Sequence, residues 1–501
     1  MRNARLGGIA GGLCLALAAC AAPRLAPRQF PAVQLPEGYR IEKVVDGLTF
    51  PTAVAWDDRG RMYVSEAGGG LDVKQLAPSR ILRVEGGRAT EVANVTAQGV
   101  HAALIGMTWH DGAFYITHRA QDLTGAVSRV TMDGRVTQLF SGIIDNQDEH
   151  QANDVRMGPD GRMYLAVGQA GNSAVVGPDI APWVKASPTL HPRPCKDIVL
   201  TGRNYKSPDF RTEQMGDSVV TGAFVTFGTT TTPGQRIAGV TKCGGSILVF
   251  DPKNAEATLR VHAWGIRQPI GMAWNRTTGE MFVGENGYDI RGLRPVNDEY
   301  DATLRVREGA WLGFPDFSAA REPLTLTKFE SPDSLQPMVI VNGKPQGKGL
   351  DFIIDHAASG LTPPDRSVVV GLHPVNSSPS KLDVAPASWG DWAGHVFVAE
   401  FGDLAPGTNP LRSQPAGYRV VRIDPATKQM EPFISNRQAG PASEQGAKGM
   451  GIERPFDPKF GPDGALYLVD YGVFKLDPSQ TPPFRSEPGT GTIWRVTRTN
   501  R

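Results

Sequence analysis

Six times along the chain two short apolar runs are joined by a polar turn, and this repetition leaves few folds open. The stretches read AVAWDDRGRMYVSEAG from Ala53, IGMTWHDGAFYITHR from Ile105, DVRMGPDGRMYLAVGQ from Asp154, IGMAWNRTTGEMFVGEN from Ile270, ASWGDWAGHVFVAEF from Ala387 and DPKFGPDGALYLVDYG from Asp457. The turns are rich in Gly, Asp and Asn, which supply positive φ or local side-chain hydrogen bonds, so each stretch predicts a β-hairpin.

Several hairpins lead into a further alternating segment: SRILRVEGG from Ser79, AVSRVTMDG from Ala126, GSILVFDP from Gly245, GYRVVRIDP from Gly417 and GTIWRVTRT from Gly491. Alternation marks a strand with one face on a neighbouring sheet. Helical periodicity is nearly absent, while 58 glycines and 40 prolines punctuate the chain. The pattern predicts an all-β, six-bladed β-propeller of four-stranded antiparallel blades, in which radial closure leaves few exposed strand edges.

The repeats are unevenly spaced. They lapse at about 171–243 and again at about 317–380, and segments this long point to lids, binding loops or other inserts. Cys195 and Cys243 are the two cysteines beyond position 20. A disulfide stapling the first insert is the simplest reading, with two buried thiols as the alternative.

The amino terminus, MRNARLGGIAGGLCLALAAC, has two arginines, a short apolar run and a small-residue ending, the form of an export signal over residues 1–20. Its ending, Leu17-Ala18-Ala19-Cys20, resembles the bacterial lipoprotein signal, in which cysteine becomes the lipidated first residue; ordinary cleavage is the alternative. These features predict a periplasmic protein touching the membrane only through a lipid anchor at Cys20. Residues 21–36, rich in Pro and Ala, read as a flexible tether, and 37–501 as the propeller. With 52 basic and 51 acidic residues, nothing suggests a nucleic-acid partner, and small neutral ligands fit better.

The segment DEHQANDVRMGPDGRMYLAVGQAGN, from Asp148, sets His150 in a polar loop immediately before a hairpin. Functional groups concentrate on loops held by a rigid scaffold, and an imidazole of pKa ~6.5 accepts protons near neutrality. A solvated surface histidine is the plain alternative.

HQANDVRMGPDGRMYLAVG from His150, WGIRQPIGMAWNRTTGEMFVGENG from Trp264 and ERPFDPKFGPDGALYLVDYG from Glu453 resemble blades of the soluble quinoprotein sugar dehydrogenases, the glucose/sorbosone dehydrogenase family. The likeness runs from about Leu35 to Val496, and AFVTFGTTTTPGQRIAG from Ala223 is most similar to the L-sorbosone dehydrogenase-like branch. It implies pyrroloquinoline quinone (PQQ) and calcium as cofactors, and oxidation of an aldose or a sugar aldehyde such as sorbosone by hydride transfer to the quinone.

The resemblance makes His150 the general base. It places Arg267 and Arg454 against the cofactor, with Gln151 and Gln268 as amide contacts; Gln268 stands where relatives often carry asparagine. A rigid guanidinium fork suits planar anions, and structural ion pairs are the alternative. The carbonyls of Gly287 and Tyr288 match those that hold calcium, which accepts backbone oxygen and polarises a bound carbonyl. Asn297, Asp298 and Glu299 resemble a motif for a second, structural calcium, or form a solvated acidic turn.

Two departures stand out. Gln169 occupies the position of an aspartate that supports the histidine in relatives, with Asp148, Glu149 and Asp154 as nearby substitutes, and no cofactor-binding lysine lies near Phe401-Gly402-Asp403. A membrane-anchored, non-catalytic propeller binding a carbohydrate or protein partner therefore stays open beside the dehydrogenase. A calcium-dependent propeller lactonase ranks below both, since no set of side-chain oxygens converging on one metal is identified. The chain carries no Cys-x-x-Cys-His motif, so its electrons are expected to pass to a separate periplasmic acceptor.

Overall fold

The computed structural model describes residues 30–70, 72–214, 216–477 and 484–499. The export signal expected over residues 1–20 lies outside these. Of the expected tether, the part from Phe30 onward is packed rather than free. Phe30 lies edge-on to Trp494 at 4.9 Å, and Val33–Gln34 pairs with Met430–Asn436. Two apolar contacts and a strand bridge outweigh the Pro-rich composition there.

The architecture is all-β, dominated by antiparallel sheets of four strands. Six sheets, five of four strands and one of five, open with the strands Pro51–Trp56, Met107–His110, Ala152–Met157, Gln268–Trp274, Pro379–Val384 and Pro455–Phe460. Each opening strand contacts the next in turn, and the sixth returns to the first. The outer strand of the sixth sheet is Tyr39–Leu48, which pairs with Gly491–Arg498 and so joins the two ends of the chain. Only two short α-helices occur among the described residues, Ala181–Ala186 and Ala255–Thr258.

The turns form for local reasons repeated in three hairpins. Tyr63, Tyr164 and Tyr467 donate their hydroxyls to Asp57, Asp160 and Asp463 at 3.2, 3.0 and 3.1 Å, which ties each second strand to its own turn. The turn glycines Gly60, Gly161 and Gly464 take φ of 72, 75 and 76°, a region costly for any other residue. Between sheets, apolar faces interlock; Ala53, Tyr63, Ile81, Leu104, Phe114 and Val130 form one such layer.

The fifth hairpin differs from expectation. Ala387–Trp392 forms two short 3₁₀ turns kinked at Gly390, and the opening strand is Pro379–Val384, paired with Val396–Glu400. Lys381 in that strand is fully buried on the central axis, where Nζ donates to Ile105 O at 2.6 Å and Thr52 O at 3.1 Å and lies 3.5 Å from Asp154. Arg156 beside it pairs with Asp154 at 2.8 Å and Asp457 at 3.2 Å. These buried charges connect different sheets of the ring, and each finds the partner that burial requires.

The two expected inserts are ordered and meet. Asn204–Pro208 and Ser218–Gly222 from the first pair with Val339–Val341 and Lys344–Gly347 from the second in one four-stranded sheet. The second insert ends earlier than expected, because Val369–His373 is the outer strand of the fourth sheet. Cys195 and Cys243 are bridged across a separation of 48 residues.

Candidate active site

A cavity of about 820 Å³ opens where the six inner strands begin. Each of those strands, or the residue just before it, reaches the cavity: Thr52, Ile105, His150 with Gln151, Arg267 with Gln268, Ser378 with Ser380, and Phe456. Residues far apart in sequence therefore converge because every sheet starts at the same end of the axis.

His150 is buried, at 6 % exposure, in the loop before Ala152–Met157. Its Nδ1 lies 2.6 Å from the backbone carbonyl of Gln169, so Nδ1–H donates there and Nε2 is left as an acceptor. Burial, reinforced by the charges of Arg267 and Arg291, holds its pKa well below the usual imidazole value. The ring is thus neutral near pH 7 and able to take a proton. The nearest carboxylate to Nε2 is Glu149, at 3.8 Å.

The substitutes for the missing aspartate divide as follows. The Gln169 side chain turns away from the ring and donates to Asp145 Oδ1 at 2.7 Å. Asp148 accepts the backbone N–H of His150 at 2.7 Å and that of Gly171 at 2.6 Å, holding the loop instead of the imidazole. Asp154 belongs to the central-axis cluster with Arg156 and Lys381.

Arg267 lines the cavity, buried at 2 % exposure. Its Nη2 donates to Asp289 Oδ2 at 2.7 Å and Asn172 Oδ1 at 2.9 Å, its Nε to Asn172 O at 2.9 Å, and its Nη1 to Asn286 O at 3.4 Å. Nη1, with that one long bond, is the donor best placed for a ligand. Gln268 Oε1 accepts from Asn153 at 3.3 Å, and Gln151 ties Ala103 N and Gly70 O together at 3.2 and 3.1 Å.

A group invisible to the sequence reading completes this wall. Arg291 bridges Glu149, Asp179 and Asp289, the latter two at 3.2 and 2.9 Å. Asn376 donates to Asp289 Oδ1 at 3.1 Å. Asn172 and Asp179 come from the first insert, which is therefore part of the site. Glu149 and Asn172 lie within the segment quoted around His150, and Asp289 and Arg291 stand just beyond the expected carbonyl pair in GENGYDIR, but nothing in those segments shows that they converge.

Oxygen ligands for a hard cation are present beside Gly287. Asn286 Oδ1 is a buried acceptor with no hydrogen-bond partner, and Asn286 lines the cavity with Gly287 and Asp301. Asp301 Oδ1 accepts the Gly287 N–H at 2.7 Å, and burial raises its pKa to about 6. No cluster of three or more His, Cys, Asp or Glu surrounds a metal position among the described residues. Amide, carbonyl and single carboxylate oxygens are the donors on offer, a set that calcium accepts.

One expected site side chain is placed elsewhere. Arg454 does not line the cavity. It is buried behind an aromatic wall, donating to the carbonyls of Gly402, Asp403 and Phe474 at 2.9, 2.8 and 3.2 Å, with its guanidinium 4.5 Å from the Tyr418 ring. With both Nη groups held in this way, it supports the wall that Phe401, Phe456, Tyr471 and Phe474 present to the cavity. The Tyr288 side chain points away from the cavity, its ring stacked 5.5 Å from Phe314 and its hydroxyl bonded to Phe317 O at 3.1 Å, which bears on the ring and not on the backbone carbonyl expected to meet calcium. In the expected second calcium motif Glu299 is buried and its Oε2 has no partner, while Asp298 is exposed and Asn297 half-buried, so only part of that turn is solvated. No lysine occurs beside Phe401; the cavity's one lysine among the described residues is Lys74.

Fold and site together define an all-β protein built on a ring of antiparallel sheets, mostly four-stranded, with a buried histidine, an arginine and an oxygen-rich corner in one cavity. A family model described only as a domain of unknown function, DUF7133, matches residues 28–185, and no curated protein matches the sequence. Solved structures share the fold. The iodide and calcium structures of the Trichoderma reesei carbohydrate-active enzyme of family AA12 are each 14 % identical, with TM-scores of 0.52 and 0.51. They are matched over 95 % of this chain and over 100 % and 98 % of theirs. The holo form of the pyranose dehydrogenase PQQ domain from Coprinopsis cinerea is 17 % identical over 94 % of this chain and 98 % of that one, with a TM-score of 0.49.

Proposed function

We propose that the protein is a six-bladed β-propeller dehydrogenase that uses PQQ and calcium to oxidise a sugar, an aldose or a sugar aldehyde such as sorbosone. The six-blade reading is supported by the closed circuit of inner strands. The observation that carries the chemistry is His150, whose Nδ1 is committed to a carbonyl while Nε2 stays basic in a cavity shared with Arg267.

When bound, PQQ supplies the hydride acceptor and calcium polarises it. His150 Nε2 accepts the proton of the sugar hydroxyl. Arg267 and Gln268 present N–H donors to carboxylate and quinone oxygens, and Asn286, Gly287 and Asp301 offer oxygens to the cation. Burial and the charges of Arg267 and Arg291 keep the base neutral until the proton arrives. The resemblance of the three motif stretches to quinoprotein sugar dehydrogenases supports this assignment. So does the description of the AA12 relative as carbohydrate-active. Export, lipid anchoring at Cys20 and electron transfer to a separate periplasmic acceptor complete the reading.

One observation favours the alternative, an anchored propeller that binds a carbohydrate or protein without catalysis: Arg267 is already paired with Asp289. Titration of the protein with PQQ and excess calcium, followed by aldoses and sorbosone, decides between them. Stoichiometric binding and bleaching of the cofactor by one sugar is the expected result. Absence of binding would overturn the dehydrogenase.

A further inference from the structure

The support of His150 leads outward to the disulfide. Gln169, whose carbonyl takes the Nδ1 proton, has its own side chain fixed by Asp145 Oδ1 at 2.7 Å. The same oxygen accepts the backbone N–H of Arg193 at 3.0 Å. Arg193 stands two residues before Cys195 and clasps the other arm of the bridge, donating to Lys242 O at 2.7 Å. Beyond Cys243, a Cβ at Gly244 would collide with the Asp145 carboxylate, and one at Gly245 would lie 2.7 Å from Gln169 Oε1. Both arms of the disulfide thus close on Asp145 and Gln169, which are 0 % and 3 % exposed. Gln169 N also donates to Arg267 O at 3.0 Å, so Asp145 is the side-chain half of what keeps the Gln169 carbonyl aimed at the imidazole; without it that carbonyl is less firmly aimed and the ring is freer to carry its proton on Nε2.

We propose that Asp145 is a positioning residue which, clamped by the Cys195–Cys243 bridge, holds Gln169 so that His150 keeps Nε2 unprotonated. The consequence for turnover rests on the dehydrogenase reading; the tautomer does not, and it is measurable without cofactor.

The test is ¹⁵N NMR of histidine-labelled apo-protein near neutral pH, with His150→Ala identifying the resonance. The wild type is expected to show Nδ1–H alone. Asp145→Leu, or reduction of the folded wild type with a phosphine, is expected to give a mixture of tautomers. In the PQQ-loaded protein kcat falls at least about 10-fold at unchanged KM, part of the roughly 10²–10⁴ that a positioned base contributes. Asp145→Asn, which keeps an acceptor oxygen, retains the single tautomer. A wild-type Nε2–H signal, or a tautomer unmoved by Asp145→Leu in a folded protein, would overturn the proposal. Should Asp145→Leu not fold, reduction decides, and an unchanged tautomer then refutes the clamp. A protein with the expected tautomers that oxidises no sugar leaves this inference standing and removes the dehydrogenase.

Discussion

Asn172 is the sharpest place to perturb the site, because one side chain joins the first insert to the cavity wall. Its Oδ1 accepts from Arg267 Nη2 and Asp289 N, both at 2.9 Å, and its Nδ2 donates to Asp289 O at 2.9 Å and Arg291 O at 3.0 Å. In Asn172→Ala several partners are rescued: Arg267 keeps Asp289, and Asp289 O keeps the Val296 N–H at 3.1 Å. Two groups are orphaned, the Asp289 N–H and the Arg291 carbonyl. At about 1–3 kcal/mol per unsatisfied buried group, with the carbonyl at the low end, the loss comes to about 2–4 kcal/mol. Urea unfolding reads it as a lower midpoint at unchanged slope. Asn172→Asp restores both acceptor contacts but turns a carboxylate toward the carbonyls, so it is expected to be no more stable than the alanine variant. A loss under about 0.5 kcal/mol for Asn172→Ala, the range of an ordinary surface change, would refute the reasoning.

Further perturbations separate the other parts of the site. His150→Ala is expected to abolish dye-linked sugar oxidation while PQQ titration stays intact; retained turnover would remove it as the base. Arg291→Ala leaves Glu149, Asp179 and Asp289 without their shared cation and should cost about 3–5 kcal/mol. It should also raise the His150 pKa toward its ordinary value, as followed by NMR titration. Burial lifts Asp145 to about 7, above its ordinary carboxylate value, so its contribution to stability is complete in acid and lost as pH rises through about 7. Wild type minus Asp145→Asn, measured by urea unfolding at pH 5 and pH 8, should therefore fall by up to a few kcal/mol, and a flat difference would contradict it. Cys20→Ser should release the protein from the membrane fraction if a lipid holds it there.

The hairpins were legible wherever the apolar alternation followed from burial against a neighbouring sheet, as in Met163–Val167 and Leu466–Asp470. The fifth opening strand was not, because Ser380 and Lys381 read as polar surface while cross-sheet contacts bury them, and Trp389 lends an apolar look to a 3₁₀ turn that packs into the core. His150, Gln151, Arg267, Gln268 and Gly287 reach one cavity as expected. Arg454 reads the same in sequence, yet three carbonyls and a ring consume it, which no local pattern encodes. Asn172, Asp179 and Arg291 stayed hidden because the contacts that draw them together span distant parts of the chain; Asn172 lies 95 residues from Arg267 and 117 from Asp289, and Arg291 lies 112 from Asp179.

The strand Tyr39–Leu48 has a consequence for how the molecule is made. Tyr39 faces Arg498 and Leu48 faces Gly491, so nearly the whole chain must exist before this strand has a partner. Such distant pairing slows folding, since a long loop must close before any contact rewards it. Until then the sixth sheet lacks its outer strand and the ring is open. Loss of either partner, Tyr39–Leu48 or Gly491–Arg498, would unfasten the sixth sheet and leave a strand edge exposed to other chains.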